Sequence, residues 1–261
     1  MTQRISLSRA ALVALCLAAV GVTGCTRGSK EGKADQKYVA QDVETIYVAA
    51  KDFLDRRRYK EAALLFDEVE RQHPYSIWAR RAQLMSAFSY YRGGQYQEAI
   101  LSAQRFLSLH PGNKDAAYAY YLVAVSYYEQ IISVDRDQKT TQQALDALNE
   151  LVRRYPDTDY AADARLKLDL ARDHLAGKEM EVGRFYQVNG NWLAATVRFK
   201  KVIDSYDGTS HVPEALERLV ESYLALGIPA EAKKAAAVLG FNYPGSVWYE
   251  RAYKLVQKHK A

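Results

Sequence analysis

Apolar and small residues recur about one helical turn apart through most of the chain, in segments that close with proline. The segment YKEAALLFDEVERQHP, from Tyr59 to Pro74, is repeated 37 residues later by YQEAILSAQRFLSLHP, from Tyr96 to Pro111. Proline lacks a donor N–H and restricts the residue before it, so it ends a helix. A fixed period of this kind predicts a repeat array, because each unit buries its apolar face only against its neighbours.

Alanine marks the second helix of each unit. The equivalent alanines lie 37, 45, 51 and 37 residues apart, at Ala62, Ala99, Ala144, Ala195 and Ala232. A proline follows twelve residues after four of them, at Pro74, Pro111, Pro156 and Pro244, whereas the fourth unit has Asp207 there. Alanine lets two antiparallel helices approach closely, and Phe66 or Phe199, four residues on, fills the adjacent gap. The spacing therefore predicts five helix pairs.

Aromatic residues mark the first helices, at Phe53, Tyr90, Tyr127, Tyr186 and Tyr223. The third unit has about eight extra residues before its alanine, which predicts a longer turn. We expect two helices between Ala161 and Val188, meeting near Gly177, and a closing helix from Val247 to Lys258 that covers the last apolar face. The predicted fold is all-α, a superhelical solenoid of five helix pairs with a C-terminal capping helix, over residues 39–261. The pattern resembles the tetratricopeptide repeat.

The first 25 residues have the features of an export signal. Arg4 and Arg9 precede an apolar run from Ala10 to Val22, which is too short to span a bilayer, for which about 20 residues are needed. The following VTGC resembles a bacterial lipobox, which implies acylation of Cys25. The alternative is an ordinary signal peptide with Cys25 incidental. We expect a signal peptide over residues 1–24, and a lipidated cysteine and flexible tether over 25–38. The resemblance to bacterial lipoproteins, in which an Asp after the cysteine signals retention at the inner membrane, implies from Thr26 a location at the periplasmic face of the outer membrane.

Composition and charge argue against catalysis and against nucleic-acid binding. Without residues 1–24 the chain has 34 basic and 31 acidic residues, and basic clusters such as Arg153-Arg154 are more typical of a solvated helix face. Cys16 lies in the predicted signal peptide, and Cys25 is the only other cysteine. After cleavage and acylation, no thiol would be left for a disulfide, for catalysis or for a metal. His73 and His110 share the repeat position before proline, which favours a structural role over metal binding. No nucleotide, zinc-protease or serine-hydrolase motif occurs, so we expect no enzyme and no cofactor beyond the lipid on Cys25.

The lipobox, the five repeats and the extended third turn together resemble the BamD family, also called ComL or YfiO, of the outer-membrane β-barrel assembly machine. The most specific part is the turn Val134-Asp135-Arg136-Asp137, followed by Gln142-Gln143-Ala144. The resemblance implies a periplasm-facing scaffold that binds the barrel subunit BamA through its periplasmic POTRA domains, contacts other lipoproteins of the machine and receives unfolded outer-membrane proteins. The short tether and Asp207 depart from the family pattern. The alternative is a different periplasmic repeat adaptor, for envelope maintenance or division.

The first helices supply a candidate peptide groove. In tetratricopeptide repeats the concave face is lined by first-helix positions, which correspond here to Tyr47, Lys51, Leu54, Leu84, Phe88, Tyr91, Arg92, Tyr121 and Tyr128. An aromatic groove edged by Lys51 and Arg92 suits an extended peptide with apolar side chains and a terminal carboxylate. The alternative occupant is the protein's own tether.

A candidate partner surface lies in the third to fifth units, around the second helix of the fourth, at Arg198, Lys200 and Lys201. Phe199 is spaced to face the core, so we expect Arg198 and Lys200 to point outward. The planar guanidinium of Arg198 can hold a carboxylate by two hydrogen bonds, and by resemblance its position is a basic interface residue for the barrel subunit. The alternative is that these are solvated charges.

Overall fold

A computed structural model describes residues 42–134 and 136–259, and over these ranges the chain forms eleven helices and no strand. The predicted signal peptide, Cys25 and the tether lie outside the described residues, as does Asp135. The helices are α1 Val43–Asp55, α2 Tyr59–Gln72, α3 Ile77–Arg92, α4 Tyr96–Leu109, α5 Ala116–Tyr128, α6 Lys139–Arg154, α7 Asp159–Val188, α8 Trp192–Ser205, α9 Val212–Ala225, α10 Pro229–Asn242 and α11 Val247–Lys258.

The helices form the predicted five antiparallel pairs, α1/α2 to α9/α10, each packed on the next. Successive first helices also contact one another, from α1 to α3, α3 to α5 and α5 to α7, so that they share one face of the array. The last helix, α11, packs on both α9 and α10, with Ala252 fully buried. The all-α array of five helix pairs with a closing helix is therefore confirmed.

The repeated alanines lie in the buried interior of the array. All five have no exposed surface, and Phe66 and Phe199 are also fully buried. Each alanine lets the paired helices approach, and the ring one turn later occupies the space beside it. This packing explains why the alanine spacing predicts the second helices.

Each second helix ends two residues before the repeated proline position, including the unit that has Asp207 there. The capping residue has φ −134° at His73 and −130° at Tyr206, outside the helical region in both cases. A backbone N–H three residues on donates to its carbonyl, from Ser76 to His73 at 3.0 Å and from Thr209 to Tyr206 at 3.1 Å. The fourth unit thus makes the same turn without proline.

The third pair has the predicted long connection. Residues 129–138 join α5 to α6, whereas three residues join the two helices of each other pair. The Gln138 side-chain amide donates to the carbonyl oxygens of Ser133, Val134 and Arg136 at 3.3, 3.3 and 3.0 Å, and its Oε1 accepts from the buried Thr141 hydroxyl at 2.9 Å. These bonds fix the turn against the start of α6.

The prediction of two helices meeting near Gly177 is wrong, because α7 is a single helix of 30 residues. A glycine inside a helix costs only about 1 kcal/mol relative to alanine, so it does not by itself end one. Gly177 is buried where a Cβ would lie 3.2 Å from Nε2 of His211 and 3.4 Å from Cγ1 of Val134. Its function is close packing of α7 against the long turn and the start of α9.

Candidate functional site

The structure places the predicted groove residues on α1, α3 and α5, in small aromatic groups along the first helices. Tyr47 on α1 is half-buried, with its ring centroid 4.7 Å from that of Trp78 on α3. Leu84, Phe88 and Tyr91 are also half-buried and pack on the core between α3, α4 and α5. These side chains therefore combine support for the core with partial exposure.

A tyrosine cluster continues this face onto α5 and α7. The ring centroids of Tyr118 and Tyr121 lie 5.3 and 5.2 Å from that of Tyr160. The Tyr121 hydroxyl donates to Asp163 Oδ2 at 2.8 Å, and Lys167 Nζ lies 2.8 Å from the same oxygen and 5.5 Å from the centroid of Tyr128. Burial raises the pKa of Tyr118 and of Tyr121, with the hydrogen bond to Asp163 adding to the rise at Tyr121. Both phenols are neutral at physiological pH.

Cations border the aromatic groups. Lys51 is exposed on α1 and Leu54 is half-buried against the first core cluster. Arg92 is exposed, with its guanidinium carbon 5.5 Å from the ring centroid of Tyr59 and 5.9 Å from that of Phe88. The predicted edge of Lys51 and Arg92 is thus positively charged and open to solvent.

A depression on this face contains residues that the sequence analysis did not select. We call it the first cavity: it has a volume of about 620 Å³ and lies between α1, the start of α3 and the turn before α5. Its lining includes the predicted Tyr47 and Leu84 together with Tyr118, Arg80, Arg81 and Lys114. The available signal was Tyr118, three residues before Tyr121 and thus on the same helix face. Arg81 and Lys114 lie far apart in sequence, and only the stacking of the repeats brings them together.

The surface on α8 differs from its prediction at Arg198. Arg198 Nη1 lies 3.0 Å from Glu179 Oε2 on α7, and Lys201 Nζ lies 2.6 Å from Oε1 of the same carboxylate. Glu179 is only 9% exposed; burial opposes its ionisation, but the hydrogen bonds from Lys201 and Arg198 outweigh burial and lower its pKa. The expectation that Arg198 points outward holds only in part, because its side chain is 38% exposed but its guanidinium turns towards Glu179. A residue next to an inward-facing one lies about 100° around the helix, which here directs Arg198 along the flank towards α7.

Lys200 is exposed, as predicted, and apolar side chains lie on the same helical hairpin. Leu193 and Val197 on α8 are 69% and 60% exposed, and Phe185 and Val188 at the end of α7 are 64% and 87% exposed. Leu193 and Val197 share one face of α8 with Lys200, at i, i+4 and i+7, and such a mixture of apolar and charged groups occurs in protein-binding surfaces. The sequence prediction named the cations and missed these apolar residues.

Two negative findings concern the described residues alone. Among them, no group of three or more His, Cys, Asp or Glu side chains is arranged to hold a metal ion. None of the helices formed by these residues is both long enough and apolar enough to cross a membrane.

Stacked helix pairs with small residues at each close approach and an aromatic face on the first helices define a tetratricopeptide-repeat protein. Among solved structures, a thermophilic protein of this class from Thermus thermophilus is similar at 19% identity, covering 83% of this chain and all of that one, with a TM-score of 0.38. The chain belongs to the YfiO family of outer membrane lipoproteins, whose family model matches residues 39–239.

Several relatives carry the name outer membrane protein assembly factor BamD. The protein of Caulobacter vibrioides is 53% identical over 247 residues, covering 95% of this chain and 80% of that protein. The protein of Rickettsia prowazekii is 45% identical over 244 residues, covering 94% of this chain and 97% of that protein. The predicted family is confirmed.

Proposed function

We propose that this chain is a non-catalytic scaffold in the assembly of outer-membrane β-barrel proteins. In this proposal it binds a BamA-type barrel subunit through that subunit's periplasmic domains, works beside other lipoproteins of the assembly machine, and receives unfolded outer-membrane proteins. Family membership and the names of the relatives support the role in assembly. The observation that carries the role in receiving clients is the aromatic and cationic face of the first helices.

The first cavity fits the end of an unfolded barrel protein. Arg81 and Lys114 offer positive charge to a terminal carboxylate, while Tyr47, Leu84 and Tyr118 offer apolar and aromatic surface to the last side chains. The tyrosine cluster and Tyr128 then continue the track along α5. An extended chain needs both features, because its affinity comes from anchoring side chains in addition to its main chain.

We place the contact with the barrel subunit on the α7/α8 hairpin. Lys200 supplies an exposed charge beside the exposed Leu193 and Val197, a combination of apolar centre and charged rim that is common in protein interfaces. Arg198 and Lys201 contribute through their remaining exposed surface, since Glu179 already binds one face of each. The scaffold is held at the periplasmic face of the outer membrane by the lipid on Cys25.

Peptide binding tests the client site. The probe is a fluorescent peptide of about seven residues, roughly 23 Å when extended, with alternating apolar residues and a C-terminal phenylalanine. We expect the doubly changed Arg81→Glu, Lys114→Glu protein to bind it at least about tenfold more weakly, because close charge pairs in interfaces contribute more than about 1.4 kcal/mol. The doubly changed Lys233→Glu, Lys254→Glu protein, with both changes at exposed positions on α10 and α11, is the matched charge control.

An amidated copy of the peptide completes the test. If the scaffold recognises the carboxylate, the amide binds the parent protein more weakly than the acid does. The double variant should then bind the acid and the amide with equal affinity. Equal affinity of acid and amide for the parent protein over a range of salt concentrations would remove Arg81 and Lys114 from the client site.

A further inference from the structure

A second cavity lies next to the first one, along the neighbouring flank of the first turns of α3. It has a volume of about 560 Å³ and is bounded by the end of α2, the first turns of α3 and the end of α4. Three large apolar side chains on its lining are exposed, with Tyr75 at 100%, Ile77 at 64% and Leu109 at 56%. Side chains this exposed around one depression offer apolar surface to an incoming chain.

The lining also contains a buried hydrogen-bond acceptor without a donor. Gln83 is 4% exposed, and its Oε1 has no hydrogen-bond partner in the described part of the chain. Buried polar atoms are normally satisfied, so this unpaired acceptor can gain a donor from a ligand when the Gln83 side chain turns towards the cavity that the residue lines. A main-chain N–H is such a donor, and it carries no charge to be repelled by the nearby Arg80 and Arg105.

Arg80 and Arg105 can donate hydrogen bonds to the main-chain carbonyl groups of the same extended segment. Arg105 pairs with Glu70 at 3.0 Å and is 65% exposed at its side chain, so it retains free N–H donors. Arg80, in the first turn of α3, is also exposed and lines the same cavity. The cavity therefore presents one acceptor, several donors and an apolar rim, which together match an extended polypeptide.

The two cavities adjoin at the first turns of α3. Ile77 and Arg80 line both of them, so the start of this helix forms the ridge between the two. A helix is about 10 Å across, a distance that about three extended residues span. A client whose last residues occupy the first cavity can reach the second with the residues just before them.

We infer that the second cavity is a subsite for the same client, which binds an extended apolar segment upstream of the client's C-terminus. The segment donates one main-chain N–H to Gln83 Oε1 and lays alternate side chains on Ile77 and Leu109. This inference rests on the proposed function, because it takes the client to end in the first cavity.

Three peptides distinguish a failure of this inference from a failure of the proposed function. The short probe has about seven residues, and the long probe of about fourteen adds an upstream alternating apolar half. A third peptide has the same length with an upstream half of glycine and serine. We expect the long probe to bind the parent protein about tenfold more tightly than the short one, and the glycine-serine peptide to bind like the short one.

Single substitutions test whether the tighter binding of the long probe comes from the second cavity. Leu109→Glu lies on the surface and should abolish the gain of the long probe without changing the affinity of the short one, whereas Leu64→Glu, 54% exposed on α2, is the matched control and should change neither. Gln83→Leu should reduce the gain while leaving the melting temperature unlowered, since it removes an unpaired buried acceptor. If the short probe fails to bind, the proposed function fails. If the short probe binds and the long one shows no gain, or a gain that survives Leu109→Glu, the second subsite is refuted.

Discussion

Glu179 is a carboxylate whose ionisation depends on the folded state. Burial raises its pKa, and the hydrogen bonds from Lys201 and Arg198 lower it further than burial raises it. A folded pKa below the unfolded value means that the bridge stabilises the fold above the ordinary glutamate pKa, and that this stability is lost as pH falls through the folded pKa.

We therefore expect Glu179→Gln to lower the free energy of unfolding at pH 7 by about 1 kcal/mol, so that the variant unfolds at a lower urea concentration than the parent protein. The loss is modest because both cations are partly solvated. The difference should shrink as pH falls below about 4, the ordinary range of glutamate. Urea titrations across this range measure it. Glu231→Gln, which breaks the exposed pair with Lys234, is the control and should have little effect at any pH. A constant difference between Glu179→Gln and parent would contradict the assigned cause.

Reversing the charge of Arg198 and reversing that of Lys200 should affect stability and partner binding differently. Arg198→Glu places a second carboxylate beside Glu179, so we expect a lower melting temperature in addition to any loss of partner binding. Lys200→Glu changes an exposed side chain, so it should leave melting unchanged and slow association with the barrel subunit's periplasmic domain, most strongly at low salt.

Circular dichroism and binding kinetics over a salt series separate the two effects. An unchanged melting temperature for Arg198→Glu would exclude the bridge as a stabilising contact. Parent-like association of Lys200→Glu at every salt concentration would place the interface elsewhere.

At the residue scale, sequence predicted which groove side chains lie on first helices, because the repeat period assigns each to a helix. It did not predict what Arg198 contacts. That contact depends on the position of Glu179, 19 residues earlier, and on the register of a continuous α7 against α8. Arg81 and Lys114 were missed for the same reason, since separate repeats bring them together.

At the scale of the helix pair, Gly183 sets the distance between α7 and α8. A Cβ at this position would lie 2.4 Å from Cε1 and 2.8 Å from Cδ1 of Phe199, which is fully buried. Alanine favours a helix by up to about 1 kcal/mol over glycine, but overpacking a core typically costs about 1 to 3 kcal/mol.

We therefore expect Gly183→Ala to destabilise the protein in urea unfolding, by about 1 kcal/mol or more. Adding Phe199→Leu should recover part of that loss, because the shorter side chain vacates the space of the ring. Gly112→Ala, where nothing lies within 4 Å of the added carbon, should be near neutral. An increase in stability for Gly183→Ala would show that the helices separate at little cost.

The same glycine chemistry explains where the prediction of elements failed. The alanine and proline spacing predicts the second helices because alanine permits close packing of two helices and proline ends a helix. Glycine is ambiguous, since it permits either a helix end or close packing. At Gly177 and Gly183 the neighbours from other elements, His211 and Phe199, determine that packing is the outcome.

On the scale of the whole described array, α7 connects two apolar cores. Ala164 and Leu168 pack with α5 and α6, whereas Ala176 and Met180 pack with α8 to α11. Repeat arrays bury most surface between neighbours, so an unbroken helix that enters two cores couples units that would otherwise be separate. In the proposed function, it joins the client face of the first three pairs to the partner surface on α8.

The anchor also concerns the whole molecule, and the prediction for it comes from the sequence VTGC ending at Cys25. Each acyl CH₂ buried in a bilayer contributes about 0.8 kcal/mol, and two chains already give stable attachment. We expect Cys25→Ala, combined with Lys200→Glu to weaken attachment through the partner, to leave the outer-membrane fraction when cells are fractionated. Cys16→Ala in the same background is the matched control, because Cys16 lies within the apolar run of the predicted signal, and it should remain with the membrane. Retention of the Cys25→Ala, Lys200→Glu protein in a strain depleted of the barrel subunit would mean that neither the lipid nor that partner holds the chain there.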